Sequence, residues 1–125
     1  MKELVIVMIG SGIGGGMRYL VSKGMSLVVA SPFPLGTFTV NILGCLLIGF
    51  FSSLPSTHSW LTPQARLLLT TGFCGGFTTF STFMKESDGI LAAHLPFTLI
   101  AYLALSLALG MMAVWGGSQL AKAVF

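Results

Sequence analysis

The sequence predicts an all-α membrane protein with four transmembrane helices. Of its 125 residues, 54% are hydrophobic and only 7% are charged, whereas a soluble domain typically carries about 25% charged residues. Residues 36–58, 67–84 and 97–117 contain no Asp, Glu, Lys or Arg. A membrane-spanning helix needs about 20 predominantly apolar residues. Each of these runs is therefore a candidate span, and the apolar N-terminal stretch supplies a fourth.

The first helix is expected over about residues 4–23, where Arg18 and Lys23 interrupt the apolar run. We interpret it as a membrane helix rather than a signal peptide, because Glu3 spoils the basic start and no small-residue cleavage site follows.

The remaining three helices are placed by prolines and composition. The loop segment ASPFPLG cannot continue a helix, so the second helix is expected over about residues 36–54. The third covers about residues 63–91 and begins at Pro63, since proline suits the first turn of a helix. The fourth starts in HLPF and ends near Lys122. One channel-like domain over residues 1–125 is expected.

The middle of the third helix has the sequence GFCGGFT, which is poor in helix formers. We predict that the helix breaks here, over Gly75 to Thr78. A break would free main-chain carbonyls at membrane depth, where each must find a partner.

The positive charges divide evenly between the two sides of the predicted membrane. With four spans, both termini lie on one side. Lys and Arg near the membrane set orientation, and the two sides carry the following residues: Lys2, Arg66 and Lys122 on the terminal side, and Arg18, Lys23 and Lys85 on the other. A count of three against three predicts that both orientations are made.

Small residues four apart predict close helix packing. They form the following sets: Gly12 and Gly16, Gly72 and Gly76, and the row Tyr102, Ser106 and Gly110. Four short helices are too few to enclose a polar path in lipid. The sequence therefore predicts an oligomer.

Enzymatic chemistry is not supported by the residues present. The only acids are Glu3, Glu86 and Asp88, and no nucleophile, base and acid can be assembled with them. Cys45 and Cys74 lack metal-ligand spacing and are expected to be buried thiols. We expect no catalytic residue, and a net charge of +3 is too thinly spread for nucleic-acid binding.

Uncharged hydrogen-bond donors and phenylalanines concentrate inside the spans instead. The donors are Thr37 and Asn41 in the second helix, Thr78, Thr79, Ser81 and Thr82 in the third, and Tyr102 and Ser106 in the fourth. Phe80 and Phe83 are three apart and lie roughly one above the other on a helix. Aromatic ring edges are positive, so these groups together suit an anion that must be held loosely enough to leave.

Three stretches resemble the Fluc (CrcB) family of fluoride channels. They are GTFTVNILG at residues 36–44, TTGFCGGFTTFSTF at residues 70–83 with Glu86 beyond it, and GGGMRYL with Arg18. The match covers nearly the whole chain in the family's order and spacing. The resemblance implies a passive fluoride channel of the bacterial inner membrane, built as an antiparallel, dual-topology homodimer with two pores and a broken third helix.

The resemblance also implies specific site residues. A structural sodium ion, not transported, is implied on the two-fold axis, bound by the carbonyls of Gly75 and Thr78 from both chains. The fluoride pathway maps onto Asn41, Phe80, Phe83, Ser81, Thr82 and Tyr102, and the electrostatic residues of the vestibule map onto Arg18 and Glu86. Met84 and Lys85 depart from the family pattern, in which Ser often follows FSTF.

Two other functions are compatible with the composition. A small proton-coupled multidrug exporter would need a carboxylate inside the membrane, and Glu86 lies near the end of the third span. A non-transporting assembly subunit would have no need of a polar and aromatic track. The predicted function is therefore fluoride transport, with fluoride, lipid and a second copy of the chain as partners.

Overall fold

The computed structural model describes all residues, 1–125, and every regular element is a helix. The elements are α1 (Lys2–Val28), α2 (Leu35–Ser53), α3 (Pro63–Leu67), a π-helical segment (Leu68–Cys74), α4 (Gly75–Phe77), α5 (Phe80–Ala92) and α6 (Pro96–Val124). We call the series from α3 to α5 the third span. The helices α1, α2 and α6 are each long and apolar enough to cross a membrane. The predicted all-α membrane fold with four spans is confirmed.

The predicted helix ends agree closely except at the end of α1. That helix continues five residues past Lys23, because the chain becomes extended only at Val29 (φ −126°, ψ 118°). The position of Lys23 was a poor stop signal, since lysine is a good helix former. At the start of the third span, the Thr62 hydroxyl accepts a hydrogen bond from the Ala65 N–H at 3.1 Å. Pro63 follows this cap directly, as expected.

The packing of α2 on α6 depends on glycines. A Cβ atom at Gly49 would overlap the main chain of Val114, and one at Gly117 would overlap the main chain of Leu46. Because neither glycine has a side chain, the two backbones can approach closely. Further along the same contact, Ser53 Oγ donates to Ser118 Oγ at 2.7 Å.

Glycines also pack α1 against the third span, but one predicted pair takes no part in this contact. A Cβ atom added at Gly72 would lie 3.1 Å from Gly10 Cα, as the predicted close packing requires, and Gly76 lies against the main chain of α1. On α1 itself, however, Gly12 and Gly16 meet nothing within 4 Å. The inward pair is Gly10 and Gly14. Both pairs have the same spacing, so spacing alone did not identify the buried face.

The break in the third span is confirmed, but it lies beyond the glycines. Gly75 is helical (φ −63°, ψ −38°). The helix stops after Phe77, and Thr78 and Thr79 are extended (φ −87°, ψ 161° and φ −151°, ψ 124°). The predicted range, Gly75 to Thr78, therefore begins three residues too early and shares only Thr78 with the observed break. The glycines weaken the helix, but hydrogen bonds that involve side chains at Thr78 and Thr79 decide where it ends.

Candidate ion pathway

The Asn41 side chain holds the break in the third span from the neighbouring helix α2. Its Nδ2 donates to the Thr79 carbonyl at 3.0 Å, and its Oδ1 accepts from the Thr79 N–H at 2.8 Å. One amide thus satisfies both main-chain groups of an extended residue. The hydrocarbon core of a bilayer contains no water that could hydrogen-bond such groups. Asn41 therefore replaces the helical hydrogen bonds that the break removes.

The two threonines close one helix and begin the next. The Thr78 N–H and hydroxyl both donate to the Cys74 carbonyl, at 3.1 and 2.9 Å. The Thr79 hydroxyl accepts from the Thr82 N–H at 3.2 Å, which is the usual role of Thr at a helix N-cap. Hydroxyl side chains therefore fix both ends of the break.

The carbonyl oxygens of Gly75, in the last turn before the break, and of Thr78, within it, lack the partners that a continuous helix would give them. Because the Thr79 N–H donates to Asn41, the helical bond to the Gly75 carbonyl is not made. The Thr78 carbonyl accepts no hydrogen bond within the chain. Free neutral oxygens are suitable ligands for a hard cation. The carbonyl oxygens of Gly75 and Thr78 are therefore ligands of the kind expected for the implied sodium site.

A cavity of about 640 Å³ lies beside the break, between α2, the third span and α6. Its lining residues are Asn41, Gly44, Cys45, Ile48, Ser52, Thr70, Thr71, Cys74, Gly75, Thr78, Thr79, Phe80, Phe83, Ser106 and Leu107. None of them is charged. The Ser106 hydroxyl is buried and has no hydrogen-bond partner. The cavity reaches the surface of the chain, where Phe80 is 73% exposed.

The predicted phenylalanines form an aromatic series that leads away from this cavity. The rings of Phe80 and Phe83 meet edge to face, with centroids 6.1 Å apart. Phe83 is buried and meets Tyr102 edge to face at 4.9 Å. Phe33 packs on the other side of Tyr102 at 5.3 Å. The series links the cavity wall to a buried tyrosine on α6.

Tyr102, Glu86 and Thr37 lie apart from the main cavity. Tyr102 is fully buried, and its hydroxyl donates to Glu86 Oε1 at 3.2 Å. Thr37 is also buried and, with Glu86, lines a smaller cavity of about 160 Å³. Within one chain, the structure therefore does not join these residues to Asn41 and Ser106 in a single space.

Three further predicted residues also lie outside the main cavity. Arg18 Nε donates to the Gly76 carbonyl at 3.1 Å and ties α1 to the break. Ser81 is exposed, 3.5 Å from the Thr79 hydroxyl, and Thr82 contacts Thr79 through its main chain. A pathway role for these side chains would require a surface beyond one chain.

The sequence interpretation missed several lining residues. Thr70, Thr71 and Ser52 add hydroxyls to the cavity wall, and Cys45 and Cys74 add thiols. A spacing signal was available in α2, because Asn41, Cys45, Ile48 and Ser52 recur three or four residues apart and so share one helix face.

The family described as "CrcB-like protein, Camphor Resistance (CrcB)" matches this chain over residues 5–118. The chain belongs to the CrcB family. The predicted resemblance is thereby confirmed, and with it a multi-pass membrane protein.

CrcB relatives match over almost their whole length. A protein of Chlorobaculum tepidum named "Fluoride-specific ion channel FluC" is 46% identical over 122 residues, which cover 98% of this chain and 96% of the relative. Proteins of the same name from Flavobacterium psychrophilum and Bacteroides fragilis are 38% and 42% identical, each covering 98% of both chains.

Proposed function

We propose that this CrcB chain forms a fluoride-specific ion channel of the bacterial inner membrane, which lets cytoplasmic fluoride leave passively down its electrochemical gradient. The protein is a channel and not an enzyme. The observation that carries the proposal is the cavity of about 640 Å³, whose wall holds an amide, hydroxyls and two phenylalanine rings but no charge. The full-length relatives named as fluoride channels support the choice of ion.

The free donors explain how such a wall suits fluoride. Asn41 uses one hydrogen of Nδ2 for Thr79 and keeps the other, and the Ser106 hydroxyl is unpartnered. Fluoride is small and accepts strong hydrogen bonds, so uncharged donors can replace its water without trapping it. The ring edges of Phe80 and Phe83 add weak stabilisation.

The remaining pathway residues are assigned to the complete assembly. Ser81 and Thr82 on α5 extend the line of hydroxyls that begins in the cavity wall. Thr37 and Tyr102 form the buried end of the pathway, and Arg18 and Glu86 set the electrostatic potential at its vestibule. All of these residues belong to one channel domain over residues 1–125.

The working unit is an antiparallel homodimer. A single chain leaves Gly75, Phe80 and Ser81 exposed beside the open cavity, and the even division of Lys and Arg supports insertion in both orientations. Topology reporters should find both orientations in cells. Adding three lysines after Phe125 should bias all copies one way and reduce fluoride efflux, whereas a single orientation of the unmodified chain would contradict dual topology.

A structural sodium ion fits the free carbonyls at the dimer axis. Gly75 and Thr78 from each of two chains would supply four neutral oxygens, enough for a hard monovalent cation that is not transported. When bound, the ion would join the two broken spans. Replacing sodium on both sides with a large organic cation should weaken dimer stability and flux, and unchanged values after exhaustive removal would exclude a structural ion.

Fluoride efflux from liposomes tests the proposed function directly. Vesicles that contain the purified protein should release fluoride, detected with a fluoride electrode, and should retain chloride. Equal rates for both anions would contradict fluoride specificity, and no flux of either would favour an assembly subunit. Efflux that requires a proton gradient would instead favour a proton-coupled exporter.

A further inference from the structure

Two free cysteines border the same cavity from facing elements. Cys45 lies on α2, and Cys74 ends the π-helical segment. The elements touch at this level, since a Cβ atom at Gly44 would overlap the Thr78 methyl group. Cys45 follows Gly44 directly, and Cys74 is one turn before Thr78. The fold therefore brings both thiols to the lining of one cavity, although they are 29 positions apart in the sequence.

We propose that Cys45 and Cys74 form a two-thiolate binding site for a soft metal ion that prefers linear coordination, of which Hg(II) is the representative. Thiolates select soft metals, whereas the hydroxyls and amide around them suit hard ions. The chain has no group of three or more His, Cys, Asp or Glu that could hold a metal. A tetrahedral zinc site, which needs more protein ligands, is therefore not available, and a two-coordinate ion is.

Charge balance favours a divalent ion. Each thiol must lose its proton to become a ligand, so two thiols and Hg(II) give a neutral RS–Hg–SR complex and two protons, which leave to water. A monovalent soft ion such as Ag(I) would leave one net negative charge in the cavity. An uncompensated charge at membrane depth is costly, so the neutral complex is the stable one.

The site has a consequence for conduction, which rests on the proposed fluoride channel. The metal would occupy the cavity whose wall also holds Asn41 and Ser106. Bound Hg(II) should therefore block fluoride efflux.

Metal retention by the purified, detergent-solubilised protein tests the site without reference to transport. After exposure to Hg(II) and washing with excess glutathione, a monothiol competitor, the unmodified chain should keep one metal ion per chain. Cys45→Ser and Cys74→Ser should each lose it, because one remaining thiol cannot resist the competitor. The same treatment with Cd(II) should leave no retained metal. If the unmodified chain loses Hg(II) as readily as the single variants, or keeps two ions per chain, the shared site is wrong.

Inhibition of efflux tests its position. Hg(II) should abolish fluoride efflux by the unmodified protein, and a dithiol should restore it. The efflux of each serine variant, compared with its own metal-free rate, should resist the metal. Retention of Hg(II) without inhibition would overturn the placement on the pathway. Absence of efflux before any metal is added would contradict the proposed function, while the retention measurement would still decide the site.

Discussion

Asn41 shows how one side chain can have a structural task that the sequence only partly reveals. The sequence predicted it as a pathway amide. The structure shows that both ends of its amide bind the main chain of Thr79. A carboxamide presents a donor and an acceptor in one plane, so it can pair with an extended residue as a neighbouring strand would.

Asn41→Ala should destabilise the break. The substitution leaves the N–H and C=O of Thr79 without partners, and each buried unsatisfied group costs about 1–3 kcal/mol. We expect a lower midpoint of thermal unfolding in detergent together with loss of fluoride efflux. Ser26→Ala, which removes only an exposed hydroxyl bond to Lys23, is the control and should change neither. An unchanged midpoint in Asn41→Ala would show that the break does not depend on the amide.

His94→Gly should stabilise the turn between α5 and α6. His94 has φ 58° and is the only non-glycine residue with positive φ. It follows the C-cap Ala93, and the Leu95 N–H donates back to the Ile90 carbonyl at 3.3 Å, as in a Schellman motif. Left-handed backbone costs a residue with a Cβ atom roughly 1 kcal/mol, and glycine avoids that cost.

The free energy of unfolding in mixed micelles measures this effect. An increase of about 1 kcal/mol is expected for His94→Gly from the relief of left-handed strain. Ala93→Gly, at φ −81°, is the matched control and should give no increase. A larger decrease for His94→Gly than for Ala93→Gly would mean that the His94 side chain contributes more than its backbone strain costs.

At the scale of helices, Arg66 illustrates a second task for a charged residue. The sequence identifies it only as one of the charges that set membrane orientation. In the structure its guanidinium donates to the carbonyls of Phe51, Ser52 and Leu54, at 2.9, 3.1 and 2.7 Å. Cations favour helix C-termini, where carbonyls lack partners. Arg66 therefore closes the end of α2 and fixes the start of the third span against it.

Gly14→Ala and Gly12→Ala should separate the two faces of α1. A Cβ atom at Gly14 would overlap the main chain of Phe73 and lie 2.8 Å from the Phe77 nitrogen, whereas one at Gly12 meets nothing within 4 Å. Forcing atoms into a packed contact costs about 1–3 kcal/mol. Gly14→Ala should lower the unfolding midpoint and efflux, and Gly12→Ala should preserve the midpoint. Equal effects would show that the α1 contact with the third span is not as close as the structure places it.

The single chain leaves many large apolar side chains exposed. Only 18 of its 125 residues are buried, so these side chains are left for lipid or for another chain. The cavity lies at the surface, and the exposed Gly75 stands on its wall with nothing near its Cβ position.

Gly75→Val should therefore act through the partner alone. Within one chain the added side chain has room, so helix content should be retained. In the proposed dimer it would separate the two backbones at the axis, and both crosslinked dimer and fluoride efflux should be lost. Thr78→Ser keeps the hydroxyl that donates to Cys74 and the main-chain carbonyl, so it should be mild. A Gly75→Val protein that remains dimeric and active would place the interface elsewhere.

Composition and proline positions were sufficient to predict four spans, because hydrocarbon admits helices whose backbone bonds are internally satisfied. The motifs were sufficient to predict the family. Local sequence also indicated a weak centre in the third helix through its glycines. These features depend only on residues that are neighbours in the sequence or on the lipid around the helix, so the sequence alone is enough to predict them.

Only the tertiary structure decided which groups share a space. Gly10 and Gly14 face the third span rather than Gly12 and Gly16, since equal spacing leaves the rotation of a helix undetermined. The break lies at Thr78 and Thr79 because Asn41, 38 positions away, supplies the missing partners. Contacts between distant residues depend on how helices cross, and no local pattern in the sequence specifies that crossing.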